Sequence, residues 1–329
     1  MNAPETPTAA APGANTAAAP ASLALDGAQR LSDWGLIRAT GADARSFLHS
    51  QLTQDVESIA GDELRLAGYC SPKGRMLASF LVWAEDADDL LLACSADLLA
   101  PVHKRLSMYV LRARCKLVDA SGEQALWGLA GTSALQVATD LKPWHLRVDG
   151  ARRVLRLPDA LLEDEPVARA MLVQEAGDPA PAARPLAPAA WAALEARSGV
   201  ARIVAATQDR FVPQMVNFEL VGGVGFQKGC YPGQEVVARS QYRGTLKRRG
   251  FLLHGSVAMA PGQEIFHSAD PGQPAGMVAL AGSLAEGEHD AFAELKIAAT
   301  QGGSLHLGSA DGPALTLGRL PYALPAESA

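Results

Sequence analysis

The pattern of hydrophobic residues changes near Leu246, and this change divides the chain into two kinds of structure. Before it, strand-like runs alternate with stretches that carry apolar residues at helical spacing. After it come short strand-like runs separated by Gly, Pro and Ser, a pattern typical of a small antiparallel barrel or sandwich. These runs are Phe251–His254, Glu264–His267, Gly276–Ala281, Ala291–Ile297 and Leu305–Leu307. We therefore predict an α+β region over residues 23–245 and a small antiparallel β-barrel over residues 246–329.

The α+β region contains two units with the same order of elements. In the first, strands at Gly35–Thr40 and Cys115–Val118 enclose two helices and a hairpin, whose turn Ser71-Pro72-Lys73-Gly74 has residues that favour tight turns. The order strand, helix, strands, helix, strand is that of a ferredoxin-like split βαβ unit with an extra hairpin. The second unit shows the same order of elements less clearly and ends in a helix over Pro188–Arg197. The pattern predicts two ferredoxin-like subdomains, at about residues 23–120 and 121–245.

Composition excludes several classes of protein. Of the 329 residues, 48% are hydrophobic and 19% are charged, enough for a buried core, and the net charge of −6 disfavours direct binding to nucleic acids or membrane surfaces. No run approaches the roughly 18 consecutive apolar residues of a membrane span. The four cysteines stand singly and the seven histidines form no metal-ligand motif, so we expect reduced thiols, a cytoplasmic location and no dedicated metal site. Residues 1–22, rich in Ala and Pro, are predicted to be a disordered tail and not a targeting signal.

The segment with the most distinctive chemistry runs from Phe211 to Arg249. Its glycines do not match a phosphate-binding loop, because Lys228 precedes the last glycine instead of following it. Tyr231-Pro232-Gly233-Gln234 suits a type II turn, and a helix with an acidic first turn follows it. Cys230 then lies beside a helix N-terminus and two residues from Lys228, and both features stabilise a thiolate. The alternative role for this cysteine is that of a small buried hydrophobe, and the residues alone leave both roles open.

The same segment resembles that of a known family. Lys228-Gly229-Cys230-Tyr231-Pro232-Gly233-Gln234-Glu235 is similar to the K-G-C-Y-x-G-Q-E signature of the YgfZ-type folate-binding proteins, which are relatives of the T-protein (aminomethyltransferase) of the glycine cleavage system. Further matches flank it and lie near the N-terminus. They are Pro213-Gln214, Asn217, Gly222-Gly223, Arg243-Gly244, Lys247-Arg248, Phe47-Leu48-x-x-Gln51-Leu52-Thr53-x-Asp55 and Pro72-Lys73-Gly74-Arg75. The likeness covers about residues 30–320.

This resemblance implies both a fold and a function. The fold is a pair of ferredoxin-like subdomains that, with a C-terminal barrel, enclose a channel accepting tetrahydrofolate. The function is to support the assembly or repair of iron–sulfur enzymes, including a tRNA methylthiotransferase. Iron–sulfur enzymes or assembly proteins are then the partners, and Cys230 is the working thiol. The candidate folate-binding residues are Lys228, Tyr231, Gln234, Glu235, Arg239, Asn217 and Arg197.

Two departures from the family pattern bear on activity. Arg197 stands where T-proteins carry the Glu of an E-A-G-I-P segment, a residue that helps to hold the pterin ring. The catalytic aspartate of T-proteins has no counterpart within its motif, although Asp97 lies in that neighbourhood. We therefore expect an accessory protein and not an enzyme. The alternatives are a folate-dependent aminomethyltransferase and an RNA-binding factor that acts through the basic residues 239–249, a cluster that a solvated loop explains equally well.

Overall fold

The computed structural model describes residues 25–242 and 246–325, and the predicted disordered tail lies outside them. The described chain forms two five-stranded antiparallel sheets and a closed six-stranded barrel, which confirms the predicted α+β fold with a C-terminal barrel. The helices are α1 (Ala44–Gln51), α2 (Ala96–Val110), α3 (Gly131–Val137), α4 (Pro188–Arg197) and α5 (Gln234–Tyr242), and 3-10 turns lie at Ala205–Thr207, Pro213–Val216 and Ile297–Thr300. The strands are β1 (Gly27–Arg30), β2 (Trp34–Thr40), β3 (Leu64–Cys70), β4 (Met76–Asp86), β5 (Asp89–Ser95), β6 (Lys116–Asp119), β7 (Gln124–Ala130), β8 (His145–Asp149), β9 (Arg152–Leu162), β10 (Glu165–Glu175), β11 (Arg248–Gly255), β12 (Glu264–His267), β13 (Gly276–Ala285), β14 (Glu288–Lys296), β15 (Leu305–Leu307) and β16 (Ala314–Leu317).

The first sheet has the strand order β3-β4-β5-β2-β6. Strands β4, β5, β2 and β6 form the ferredoxin-like unit, and β3 is the extra strand that the predicted hairpin adds. The hairpin turn closes through a hydrogen bond from the Gly74 N–H to the Ser71 carbonyl, 2.8 Å long, and Gly74 has the positive φ of 71° that glycine adopts at low cost. Helices α1 and α2 each bury one apolar face. The buried residues include Phe47 and Leu48 on α1 and Val102 and Leu106 on α2.

The second sheet takes its last strand from the N-terminus. Its order is β1-β7-β10-β9-β8, and β1 pairs with β7 through Gly27 to Arg30. In a ferredoxin-like unit, the strand that follows the second helix takes this place beside the first strand. Because β1 occupies it, the chain after α4 leaves the sheet, and the long segment up to α5 is available to build a site. The sequence pattern missed this strand, as it missed β8 and β16.

Helix α4 joins the second sheet to the barrel. Trp191 of α4 packs against the second sheet, where a Cβ at Gly128 would lie 2.7 Å from its indole ring. The opposite side of α4 contacts β13, and a Cβ at Gly282 would overlap the backbone of Ala192 and Ala193. The barrel has its own core, which includes Leu253 and Ile265, and closes where β16 pairs with β11. Helix α4 and the 3-10 turn Pro213–Val216, which contacts β11 and β14, therefore both position the barrel relative to the subdomains.

Candidate functional site

The loop of the predicted signature interlocks with the β3–β4 hairpin. The Gln234 N–H donates to the Tyr231 carbonyl at 3.2 Å, and Gly233 has a φ of 80°, as the predicted type II turn requires. A Cβ at Gly233 would lie 2.7 Å from the Gly74 Cα, and one at Gly74 would lie 2.8 Å from the Val236 Cβ. Glycine is thus needed on both sides of the contact. Helix α5 begins at Gln234, as the sequence predicts.

A third motif, the segment that ends α1, anchors the same loop. The Thr53 hydroxyl donates to the Gly223 carbonyl at 2.6 Å, and the Gln54 amide donates to the Gly222 carbonyl at 2.6 Å. The Lys228 ammonium donates to the His49 carbonyl and, at 2.7 Å, to the Leu52 carbonyl. Residues that are between 168 and 179 positions apart in sequence therefore meet at one place.

Lys228 is half-buried beneath the loop. Burial lowers its pKa to about 8, against the opposing effect of Asp55, Glu57 and Cys230. Its Nζ lies 5.0 Å from the centre of the Tyr231 ring, within the range of a cation–π contact. Tyr231 is buried, and burial raises the pKa of its phenol above the ordinary value. Lys228 therefore holds the loop to the end of α1, and two of its three donors are used for that.

Cys230 lies at the surface of this assembly, and its side chain is exposed. Of the three candidate residues on α5, two are exposed like Cys230 and one is half-buried. Glu235 and Arg239 are exposed and pair with each other at 3.0 Å, whereas Gln234 is half-buried and directs its amide towards the Gly229 carbonyl at 3.4 Å. The structure brings Lys228, Cys230, Tyr231, Gln234 and Glu235 together in one loop and helix start.

Asn217, which follows the 3-10 turn Pro213–Val216, connects the segment before the Cys230 loop to the barrel. It is fully buried in a left-handed conformation with a φ of 54°. Its amide donates to the Gly250 carbonyl at 2.8 Å, and its carbonyl accepts from the Gly250 N–H at 3.1 Å. Close by, Arg249 forms a buried ion pair with Glu219. These groups are occupied with partners in β11, away from the exposed loop.

Arg197 is the last residue of α4 and lies in a cavity of about 640 Å³ between the second sheet and the barrel. Its guanidinium binds both carboxylate oxygens of Asp290, at 2.6 and 3.0 Å, and the Leu161 carbonyl at 3.0 Å. The same carboxylate contacts the His254 Nδ1. Arg197 is thereby separated from the Cys230 loop and tied to the barrel.

A cavity between the two subdomains contains residues that the sequence analysis missed. It has a volume of about 30 Å³ and is lined by both sheets and the end of α4. Glu195 is buried there, with its carboxylate 3.0 Å from the Arg202 guanidinium, which also binds Asp33 at 2.7 Å and lies 4.8 Å above the Trp34 ring. Burial raises the pKa of Glu195, and the charge of Arg202 opposes this rise. Arg202 Nε and Trp34 Nε1 have no hydrogen-bond partner among the described residues.

One sequence signal could have identified Glu195. It is the single acidic residue in the otherwise apolar first nine residues of α4, and it lies one helical turn after Trp191. A carboxylate on the apolar face of a helix is rarely buried without a partner or a purpose. Arg197 lies only two positions further along the helix, but the helical turn directs the two side chains to different cavities.

The basic cluster of residues 239–249 is largely paired in the part that the structure describes. Arg239 pairs with Glu235, and Arg248 pairs with Glu294 at 2.6 Å. Arg249 is buried against Glu219. Residues 243–245 lie outside the described chain. Most of this positive charge is therefore neutralised locally.

The described residues contain neither a metal-ligand cluster nor a membrane-spanning helix. Within residues 25–242 and 246–325, no group of three His, Cys, Asp or Glu side chains is placed to hold a metal ion. In the same residues, no helix is long and apolar enough to cross a membrane. Asp97, the residue that the sequence offered in place of the T-protein aspartate, accepts a hydrogen bond from the Ala205 N–H at 2.9 Å.

Comparison with known proteins places the chain in a family. It is 35% identical over 241 residues to the tRNA-modifying protein YgfZ of Edwardsiella ictaluri, with 70% of this chain and 72% of that protein covered. It is 31% identical over 242 residues to the protein of the same name from Escherichia coli K12, with the same coverage. No family model matches the chain. The glycine cleavage system aminomethyltransferase T of Bartonella henselae has the same fold, with a TM-score of 0.70 at 15% identity over 92% of this chain and 88% of that one. The chain therefore belongs to the YgfZ family.

Proposed function

We propose that this protein binds tetrahydrofolate and supports the assembly or repair of iron–sulfur enzymes, among them one that modifies tRNA, with Cys230 as its working thiol. The relatives in the YgfZ family are named tRNA-modifying proteins. The observation that carries the folate part is the buried Glu195 carboxylate in a cavity that also contains two unpaired donors, Arg202 Nε and Trp34 Nε1. The observation that carries the thiol part is the exposed Cys230 on a loop that is held by two other motifs, the β3–β4 hairpin and the end of α1.

The donor set of the inter-subdomain cavity fits a pterin ring. One edge of the pterin carries an amino group and a ring N–H, and a carboxylate such as Glu195 accepts both. The ring's carbonyl and nitrogen acceptors match the unpaired N–H groups of Arg202 and Trp34. A cavity of about 30 Å³ holds water only, so the walls must separate on binding. Bound folate would supply a nitrogen that carries one-carbon units, and the residues named here would orient it and exclude water.

Calorimetric titration of the protein with tetrahydrofolate tests this assignment. We expect the wild type to bind and the Glu195→Gln variant to bind at least about 10-fold more weakly, because a hydrogen bond to a charged group contributes about 1.5–3 kcal/mol. The matched control is Glu165→Gln, since Glu165 is exposed on β10, away from the cavity. Equal affinity in wild type and Glu195→Gln would show that Glu195 does not contact the ligand. The absence of detectable tetrahydrofolate binding by the wild type would contradict the folate part of the proposal.

The thiol part rests on a contrast among the four cysteines. Burial raises the pKa of Cys70 and of Cys94 to about 12 and that of Cys115 to about 11, so these three remain protonated at neutral pH. Cys230 is exposed, and a partner protein can reach it. A solvent-accessible thiol is the one that can bind or shield a group on another protein.

Complementation of a deletion strain tests the role of this thiol. We expect Cys230→Ser to leave the free energy of unfolding within about 0.5 kcal/mol of wild type, because the side chain is exposed, and to fail to restore iron–sulfur enzyme activity. Cys115→Ser is the control and is expected to restore it. Full restoration by Cys230→Ser would exclude the thiol from the mechanism. Binding of tRNA that weakens steeply with salt would instead favour the RNA-binding alternative.

A further inference from the structure

A histidine–aspartate pair lies beneath the Cys230 loop. His49 is in the last turn of α1, and its Nδ1 lies 3.0 Å from the Asp55 Oδ1. Ser58 fixes the Asp55 carboxylate with its N–H at 3.2 Å and its hydroxyl at 2.7 Å. Burial on its own raises the pKa of Asp55, but the hydrogen bonds from Ser58 and the neighbouring His49 outweigh it, so the net pKa lies below the ordinary value. Asp55 is therefore a fixed anion that orients the imidazole.

The orientation of the ring directs its second nitrogen to the loop. Because the Nδ1–H donates a hydrogen bond to the Asp55 carboxylate, Nε2 of the neutral imidazole carries the free lone pair. This Nε2 would lie 3.4 Å from a Cβ at Gly229, the residue directly before Cys230. Lys228, on the other side of Gly229, donates to the His49 carbonyl itself. The loop is thus held to the residue that supplies the acceptor nitrogen.

We propose that His49, oriented by Asp55, is the proton acceptor that activates the Cys230 thiol. The inference deepens the proposed function, since it rests on Cys230 being the working thiol. The proton moves from Sγ to Nε2, which leaves a thiolate and an imidazolium, and no electrons are exchanged. The transfer requires the exposed Cys230 side chain to turn about χ1 towards the ring, and catalytic contacts of this kind commonly tighten only when a partner binds.

The charges around the pair favour this transfer. Asp55, on the turn after α1, contacts the imidazole and stabilises the imidazolium. Lys228 stabilises the thiolate and opposes the imidazolium. Tyr231, the remaining titratable group on the loop, has its pKa raised by burial and stays neutral. The arrangement has the order acid, imidazole, nucleophile that activates cysteines in unrelated enzymes.

The rate at which iodoacetamide alkylates Cys230, followed by mass spectrometry of its peptide across pH in the full-length protein, tests the proposal. An ordinary thiol with a pKa of about 8.5 is only about 3% ionised at pH 7. We expect the wild type to react at least about 10-fold faster than His49→Gln at pH 7, with an inflection at lower pH in the wild type. Asp55→Asn, which leaves the Ser58 contacts possible, is expected to lie between the two.

The control variant is Glu57→Gln, whose side chain is near the cluster but does not touch the imidazole. We expect it to change the alkylation rate by no more than about 2-fold, because an exposed charge at a distance is well screened. The same pH profile in wild type, His49→Gln and Asp55→Asn would overturn the proposal. That failure is separable from failure of the proposed function, which is read from complementation by Cys230→Ser. A changed profile together with full complementation would retain the proton transfer and remove only its biological role.

Discussion

Replacing Asp290 by asparagine is expected to lower the free energy of unfolding by about 3–5 kcal/mol, the usual effect of removing one partner of a buried ion pair. The Asp290 side chain is 3% exposed and that of Arg197 is 12% exposed. Asp290 binds Arg197 from α4 and His254 from β11, so one carboxylate joins the second subdomain to the barrel. Without its charge, Arg197 is left buried and poorly compensated. Urea unfolding followed by circular dichroism measures the change.

The matched control is Asp164→Asn. Asp164 pairs with Arg319 across the same two parts of the protein, but the two side chains are 78% and 73% exposed. An exposed pair contributes about 0–1 kcal/mol, so this variant should unfold almost as the wild type does. Equal destabilisation by the two substitutions would contradict the assignment, because burial could then not be the cause.

The effect of Asp290→Asn should also depend on pH. Burial raises the pKa of Asp290, but hydrogen bonds from His254 and Arg197 lower it by more, so the folded pKa lies below the ordinary value. Such a group contributes its full stability above the unfolded pKa of about 3.9 and loses it as pH falls through the folded pKa. The difference between wild type and variant should therefore be complete at pH 7 and should shrink below about pH 4. A difference that grows on acidification would contradict this sign.

Gly282→Ala is expected to lower the free energy of unfolding by about 3 kcal/mol or more, at the upper end of what overpacking causes. The added methyl group would overlap the backbone of Ala192 and Ala193, and the backbone of a helix cannot rotate away as a side chain can. Helix α4 would have to move off β13 and take Glu195 and Arg197 with it. Thermal and urea unfolding measure the loss, and folate affinity should fall with it.

The control for this substitution is Gly272→Ala, also in the barrel. Apart from its chain neighbours, no atom of the described residues lies within 4 Å of a Cβ at Gly272, so its effect should remain within about 0.5 kcal/mol. If Gly282→Ala were equally mild, the contact between α4 and the barrel would have to be loose enough to take a methyl group, and the role given to α4 would be wrong.

The elements that the sequence predicts well are those with local causes. The turn residues Ser71 to Gly74 close a hairpin, and Tyr231 to Gln234 form a type II turn from which α5 begins. The short strands of the barrel also lie where alternating runs end in Gly or Pro. In each case, neighbouring residues supply the conformational preference and the chain needs no distant partner to express it.

The candidate site was only partly predictable, for the converse reason. The signature placed Lys228 and Cys230, but nothing local shows that Lys228 bonds the end of α1 or that His49 faces Gly229. Glu195 and Arg197 are two residues apart, and only packing on two different surfaces sends them to separate cavities. The assignment of Arg197 by position in a motif could not contain that information.

The fold class, the family signature and the turn before α5 could be predicted from the sequence, because they depend on spacing, turn residues and short motifs. The exposure of Cys230 could not, since the residues alone left a buried thiol equally open. Three features became visible in the folded chain alone: β1 completes the second sheet, Asp290 binds Arg197, and the His49–Asp55 pair lies under the cysteine loop. Each of these is a pairing across long sequence separation. Such pairings form where burial of many apolar side chains brings the partners together, and the partners' own residue types do not specify it.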